Sequence, residues 1–152
     1  MTDARQPTRR DSARLLVLDP ADRVLLFRFT PPGRDPFWAT PGGAVDPGED
    51  FPTAAQRELF EETGIVADPG TPVNVRMNQF EAFWGEEVVA EEHFFVVRTE
   101  TTKIDTSGHE ALERDVMKSH RWFAHAELND HPETIYPEDI AELLRTALEK
   151  RT

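Results

Sequence analysis

Three carboxylates at Glu58, Glu61 and Glu62 are the residues best placed to do chemistry. On a helix their i, i+3 and i+4 spacing brings the side chains to one face, with Cβ atoms roughly 5–6 Å apart. Like charges so placed repel by about a few tenths of a kcal/mol per pair, and Glu61 and Glu62 also sit in a last turn where the helix dipole disfavours negative charge. Local rules broken together in one place point to function. A divalent cation relieves all of these conflicts, because carboxylate oxygens are the hard ligands that Mg²⁺ and Mn²⁺ prefer.

The helix that would carry them is written in the flanking residues. Asp50 suits the N-cap, Pro52 falls in the first turn, and Gly64 suits the position just past the end. Between them TAAQRELFEE holds good helix formers, so a helix is expected from about Phe51 to Thr63. Arg57 reads as a positioning residue whose planar guanidinium can hold one or two carboxylates and offset their repulsion. Upstream, Gly42 and Gly43 allow the backbone to approach an ion closely, and a carbonyl there is a further hard ligand.

The whole stretch from Gly43 to Ile65, GAVDPGEDFPTAAQRELFEETGI, resembles the signature of the Nudix hydrolases. It matches at Gly43, Glu49, Arg57, Glu58, Leu59, Glu61, Glu62, Gly64 and Ile65. The resemblance implies a MutT-like pyrophosphohydrolase in which Mg²⁺ or Mn²⁺ is bound by Glu58, Glu61 and Glu62 with the Gly43 carbonyl. It places Glu49 near the metal cluster, as a ligand or as a partner of the arginine. It also implies a further carboxylate in a downstream loop that binds metal or acts as general base. Glu110 and Glu113 are available for that role, with Glu113 preferred.

The 152 residues suit one domain with its own core, and ten Phe and three Trp supply large side chains for it. No apolar run is long enough to span a bilayer, and MTDARQPTRRDS lacks the apolar core of a secretory signal. Cysteine is absent, which excludes disulfides and thiol catalysis and suits a cytoplasmic protein. With 29 acidic and 17 basic side chains the net charge is −12, and the basic residues are scattered apart from Arg5, Arg9, Arg10 and Arg14. DNA binding and membrane association are therefore not expected. An acidic chain acting on phosphates needs cations to screen its substrate, which the proposed metal site would provide.

Around the signature, residues 1–11 are expected to be a polar tail and 12–152 the Nudix domain. SARLLVLD and RVLLFRF read as a hairpin, with the turn at Pro20-Ala21-Asp22. TPPGRDP is a loop, and Phe37 to Thr40 leads into Pro41-Gly42-Gly43. Residues 72–84 and 88–99 read as two long strands. In the family, side chains from such strands face the nucleotide, which nominates Met77, Phe80, Phe83 and Trp84, with Phe80 and Trp84 taken as the substrate-binding pair. A polar connection follows, then a strand at His120 to Phe123 and a closing helix with Pro137 at its first position and Ile140, Leu143, Leu144, Ala147 and Leu148 as its apolar face. His93, beside Glu91 and Glu92, reads either as a surface residue at a strand entry or as a ligand. The element order suits an α+β layered domain, and the resemblance sharpens this to an α/β/α sandwich around a mixed sheet.

The expected activity is metal-dependent hydrolysis of a pyrophosphate bond in a nucleoside diphosphate linked to another group, a small nucleotide such as a nucleoside triphosphate. Markers of narrower subgroups are missing. Gln79 stands where the ADP-ribose group tends to have Pro, and Phe80 and Glu81 do not supply the Tyr of the diadenosine group. Two alternatives stay open, a catalytically silent nucleotide sensor and an enzyme acting on the 5′ end of RNA. The family resemblance makes a homodimer a common arrangement.

Overall fold

Ser12–Leu18 and Val24–Phe29 carry consecutive apolar residues, and strands of that kind are covered on both faces. The structure, a computed structural model, describes residues 8–81, 85–105 and 117–149. Its strands are β1 (Thr8–Arg9), β2 (Ser12–Leu18), β3 (Val24–Phe29), β4 (Phe37–Ala39), β5 (Gly42–Ala44), β6 (Asn74–Glu81), β7 (Glu87–Arg98), β8 (Met117–Phe123) and β9 (Thr134–Tyr136). Its α-helices are α1 (Phe51–Thr63) and α2 (Ile140–Glu149).

The strands form one mixed sheet. β2 runs parallel to β7 along its length, from Ser12 opposite Glu92 to Leu18 opposite Arg98. β3 is antiparallel to β8, and β4 is parallel to β9 with Trp38 opposite Ile135. Beyond the turn, β2 and β3 diverge, and the chain from β4 to β5 passes between them: β4 pairs with β3, and β5 pairs with the start of β2. That crossing brings Gly42 and Gly43 into the sheet opposite Arg14 and Ala13. The polar start is also tied in, since Thr8 and Arg9 pair in parallel with Val88 and Val89.

The two-residue alternation of the strands divides the core in two. Leu16, Leu18, Val24, Leu26 and Phe94 face α2, where Ile140, Leu143, Leu144 and Ala147 meet them. Ala13, Leu15, Val17, Leu25, Phe27, Phe95 and Val97 face α1, which contributes Ala54, Ala55 and Leu59. The result is a single α+β domain with an α/β/α layering and a mixed sheet, as expected. The closing helix departs from expectation in its start. Residues 137–139 form a turn, Pro137 carbonyl accepts from the Ile140 N–H, and the Asp139 carbonyl accepts the first helical bond from Leu143. Among the described residues no helix is long and apolar enough to cross a membrane.

Candidate active site

Local chemistry sets both ends of α1. The Asp50 carboxylate accepts from the Thr53 N–H at 2.8 Å, capping the helix start. At the other end Gly64 adopts φ 76° and its N–H returns to the Phe60 carbonyl, the left-handed cap that glycine permits. A Cβ there would also come within 2.8 Å of Asp105 Cβ, whose main-chain N–H is bonded to the Thr63 carbonyl. The helix thus has a fixed start, a fixed stop and a fixed neighbour.

With Ala54, Ala55 and Leu59 facing the sheet, the adjacent positions on the helix turn Glu58 and Glu62 inward, at 8% and 2% exposure. Buried carboxylates need partners. Glu62 accepts from the Gly42 main-chain N–H at 2.7 Å. Glu58 lies directly against Gly43, where an added Cβ would sit 2.6 Å from Oε1, 2.7 Å from Cδ and 2.8 Å from Oε2. Only a glycine leaves room for that carboxylate.

Arg57 gathers the remaining charges. Its Nε donates to Glu49 Oε2 and its Nη2 to Glu49 Oε1, both at 2.9 Å, a two-pronged contact. Nη1 donates to Glu58 Oε1 at 2.9 Å and to Glu61 Oε2 at 3.3 Å, and Nη2 also reaches the Ala44 carbonyl. Asp46 completes the surround at 3.5 Å. Hydrogen bonds to Glu49 first, then contact with Glu58, hold the guanidinium charged well above its ordinary range, against the opposing effect of partial burial. In return Arg57 lowers the Glu49 carboxyl below the usual carboxylate range, helped by the Asp46 N–H. Glu49, open in the sequence between two roles, is here the partner of Arg57.

The donor set suits a hard cation: the carboxylates of Glu58, Glu61 and Glu62 lie on one helix beside the main chain of Gly43. Among the described residues, no three acidic or histidine side chains converge closely enough to hold an ion. Each is turned onto a protein donor, Glu58 and Glu61 onto Arg57 and Glu62 onto Gly42. Arg57 thus contacts Glu49, Glu58 and Glu61 together.

Other candidates divide. Glu110, Glu113, Phe83 and Trp84 lie outside the described residues. Phe80 belongs to β6, opposite Val88, and Met77 is exposed on the same strand. His93 is part-buried, stacked on Phe51 and bonded to Glu91, so it is not a free surface residue, and among the described residues it belongs to no cluster able to hold a metal. Sequence reasoning missed an aromatic floor. α1 packs over β2 and β5, and farther along the same sheet face Phe29 stacks on Phe37 at 5.3 Å with Tyr136 edge-on to Phe37 at 5.4 Å. Tyr136 is 38% exposed, and the Arg34 guanidinium lies 5.3 Å over the Phe37 ring. The only sequence signal was the lone tyrosine of the chain, just before a proline.

Residues 8–145 match the NUDIX domain family. The chain is 31% identical over 153 residues to an RNA pyrophosphohydrolase of Caulobacter vibrioides, an alignment covering 90% of this chain and 83% of that protein. A MutT protein from Methanosarcina mazei Go1 has the same fold, with a TM-score of 0.69 and 21% identity over 98% of this chain and 100% of the other. A MutT NUDIX hydrolase from Burkholderia pseudomallei is 27% identical, with a TM-score of 0.60 over 95% of this chain and 99% of its own.

Proposed function

The chain belongs to the Nudix family and is a hydrolase of pyrophosphate bonds in nucleoside diphosphate-linked substrates, and on that premise we propose its site residues and substrate. Nudix hydrolases are generally dependent on a divalent metal. Magnesium or manganese would be held by the carboxylates of Glu58, Glu61 and Glu62 and the carbonyl of Gly43. When bound, it supplies charge neutralisation at the phosphates and a lowered pKa for the attacking water. Arg57 keeps Glu58 and Glu61 oriented and separated in charge. A carboxylate accepts the proton as the water oxygen bonds to phosphorus and the anhydride P–O bond breaks; we assign that role to Glu113, with Glu110 or a signature glutamate as the other choices. Hydrolysis should accordingly be faster at neutral to alkaline pH.

The nucleoside would lie on the sheet face beside α1, where the part-exposed Tyr136 ring, standing edge-on to Phe37, offers an apolar surface and Arg34 a cation. Phe80 and Trp84 are proposed for the same stacking role. A Tyr136→Ala variant should raise KM about 5- to 100-fold with kcat little changed, since stacking on an aromatic side chain contributes about 1–3 kcal/mol per base. An unchanged KM would remove Tyr136 from the site.

The observation that supports this reading most is the anchored carboxylate array, with Arg57 between Glu49, Glu58 and Glu61 and with Glu62 on Gly42. The primary substrate proposed is a nucleoside triphosphate. A second reading, the 5′ end of RNA, is favoured by the likeness to the Caulobacter RNA pyrophosphohydrolase across nine-tenths of this chain. The test is phosphate and pyrophosphate release from triphosphates, oxidised triphosphates, dinucleoside polyphosphates, sugar nucleotides and 5′-triphosphorylated RNA, with Mg²⁺ or Mn²⁺ and then EDTA. EDTA-sensitive turnover of mononucleotides supports the first reading, and preference for RNA supports the second. Tight nucleotide binding without turnover of any member would return the silent sensor.

A further inference from the structure

Loop 45–50 carries Asp46 and Glu49 toward Arg57, yet it belongs to neither strand nor helix. Its ends run into β5 and α1, and contacts from outside the signature reach both. At the first end, the Val45 N–H donates to the Asp11 carbonyl at 2.9 Å. At the second, the ring of Phe51, the first residue of α1, lies flat on His93 with centroids 3.5 Å apart and planes 11° apart. These anchors come from different strands, β1–β2 and β7, and one residue joins them. Glu91 Oε2 meets His93 Nε2 at 2.7 Å, its Oε1 accepts from Arg9 Nη2 at 3.2 Å, and its N–H donates to Asp11 Oδ1 at 3.1 Å. Arg9 closes the circuit by donating from Nε to the same Asp11 oxygen at 3.0 Å.

We infer that Glu91 is a positioning residue for catalysis, acting through Asp11 and His93 to clamp both ends of the loop that presents Glu49 to Arg57. Their effect passes along a physical chain: Asp11 and His93 set the loop, the loop sets Glu49, and Glu49 makes the two-pronged contact that orients Arg57. Arg57 in turn holds Glu58 and Glu61. The network also explains why a histidine stands between two acidic neighbours and two phenylalanines on β7: its flat ring stacks on Phe51 while its edge nitrogen reaches Glu91. This inference rests on the active-site reading above.

The experiment compares Glu91→Ala, His93→Ala, the double variant and His93→Phe with the wild type. Three quantities are read: kcat and KM, the Mg²⁺ concentration giving half-maximal rate, and the ¹H–¹⁵N resonance of Arg57 Nε. Each alanine variant should lower kcat about 10-fold, less than a full ångström of misplacement costs, with KM for the nucleotide nearly unchanged. The double variant should be no worse than the single ones, because both break one clamp. His93→Phe, which keeps a flat ring on Phe51, should recover part of the loss. The Arg57 resonance should move in both alanine variants and needs no turnover, so it tests the clamp even if the substrate assignment fails. An unmoved Arg57 resonance in folded Glu91→Ala would overturn the inference, as would additive losses in the double variant. If Glu91→Ala does not fold, the same resonance in His93→Ala decides.

Discussion

The two faces of the sheet are covered by helices of opposite character. On one side α2 presents Ile140, Leu143, Leu144 and Ala147 to Leu16, Leu18, Leu26, Trp38 and Phe123 in an apolar cluster. On the other, α1 brings Ala54, Ala55 and Leu59 to the sheet and buries Glu58, Glu62 and Thr63 beside them. Each buried aliphatic side chain stabilises the fold by about 1.5–3 kcal/mol, whereas a buried carboxylate costs stability unless it is bonded. α1 therefore gives up cohesion for chemistry. The small residues Ala54 and Ala55 let it approach closely, and Gly42 and Arg57 supply the bonds its carboxylates need.

If the faces are divided in this way, substitutions on each should fail differently. Glu61→Gln or Glu62→Gln should lower turnover by about 10²–10³-fold or more while leaving the melting temperature within a few degrees, a loss of the size expected when transition-state charge is no longer stabilised. Wild-type-like turnover in both variants would sink the site assignment. Leu144→Ala should do the reverse. It should remove about 2–5 kcal/mol of stability in urea titration, as large-to-small changes in a core do, while activity per folded molecule persists. Gly43→Ala tests where the faces of the site touch, because its methyl must displace the Glu58 carboxylate. We expect a rate loss of about 10²-fold, the cost of a shift of roughly 1 Å, with a smaller loss of stability. Unaltered kinetics would mean that the Glu58 position is not needed.

The smallest effect lies at the polar rim of the α2 face. Glu133 accepts from Arg28 through both oxygens and from the Trp38 indole N–H at 2.8 Å. Hydrogen bonds from Arg28, and then from Trp38, lower its carboxyl from the ordinary 4.5 to about 2. A depressed folded-state pKa means that its contribution is fully present above pH 4.5 and disappears as pH falls through about 2. Glu133→Gln should therefore melt slightly below the wild type near neutrality, with the gap closing between pH 4.5 and 2. A gap independent of pH would assign the effect to packing instead.

Much of this was legible in the chain because it is local. Asp50, Pro52 and Gly64 delimit α1 through bonds to near neighbours, so Phe51–Thr63 could be read without any knowledge of the sheet. The same holds for the spacing that puts Glu58, Glu61 and Glu62 on one helix, and for the apolar runs of β2, β3 and β7. Pro137 misled by the same logic. It is a suitable first residue of a helix, but pairing of Tyr136 with Ala39 extends the strand up to it and α2 begins only at Ile140.

What the sequence by itself determined is thus the helix, its caps, its three carboxylates and the family to which they point. Tertiary structure alone decided which groups answer those charges: Glu49 for Arg57, the Gly42 N–H for Glu62, and the vacant side of Gly43 for Glu58. It also made the aromatic floor, since Phe37 and Tyr136 are distant in the chain and become neighbours only through the parallel pairing of β4 with β9. The physical reason is the same throughout. Caps and spacing are satisfied within a turn or two of the chain, whereas a buried charge or an open sheet face is defined by whatever distant segment folds against it.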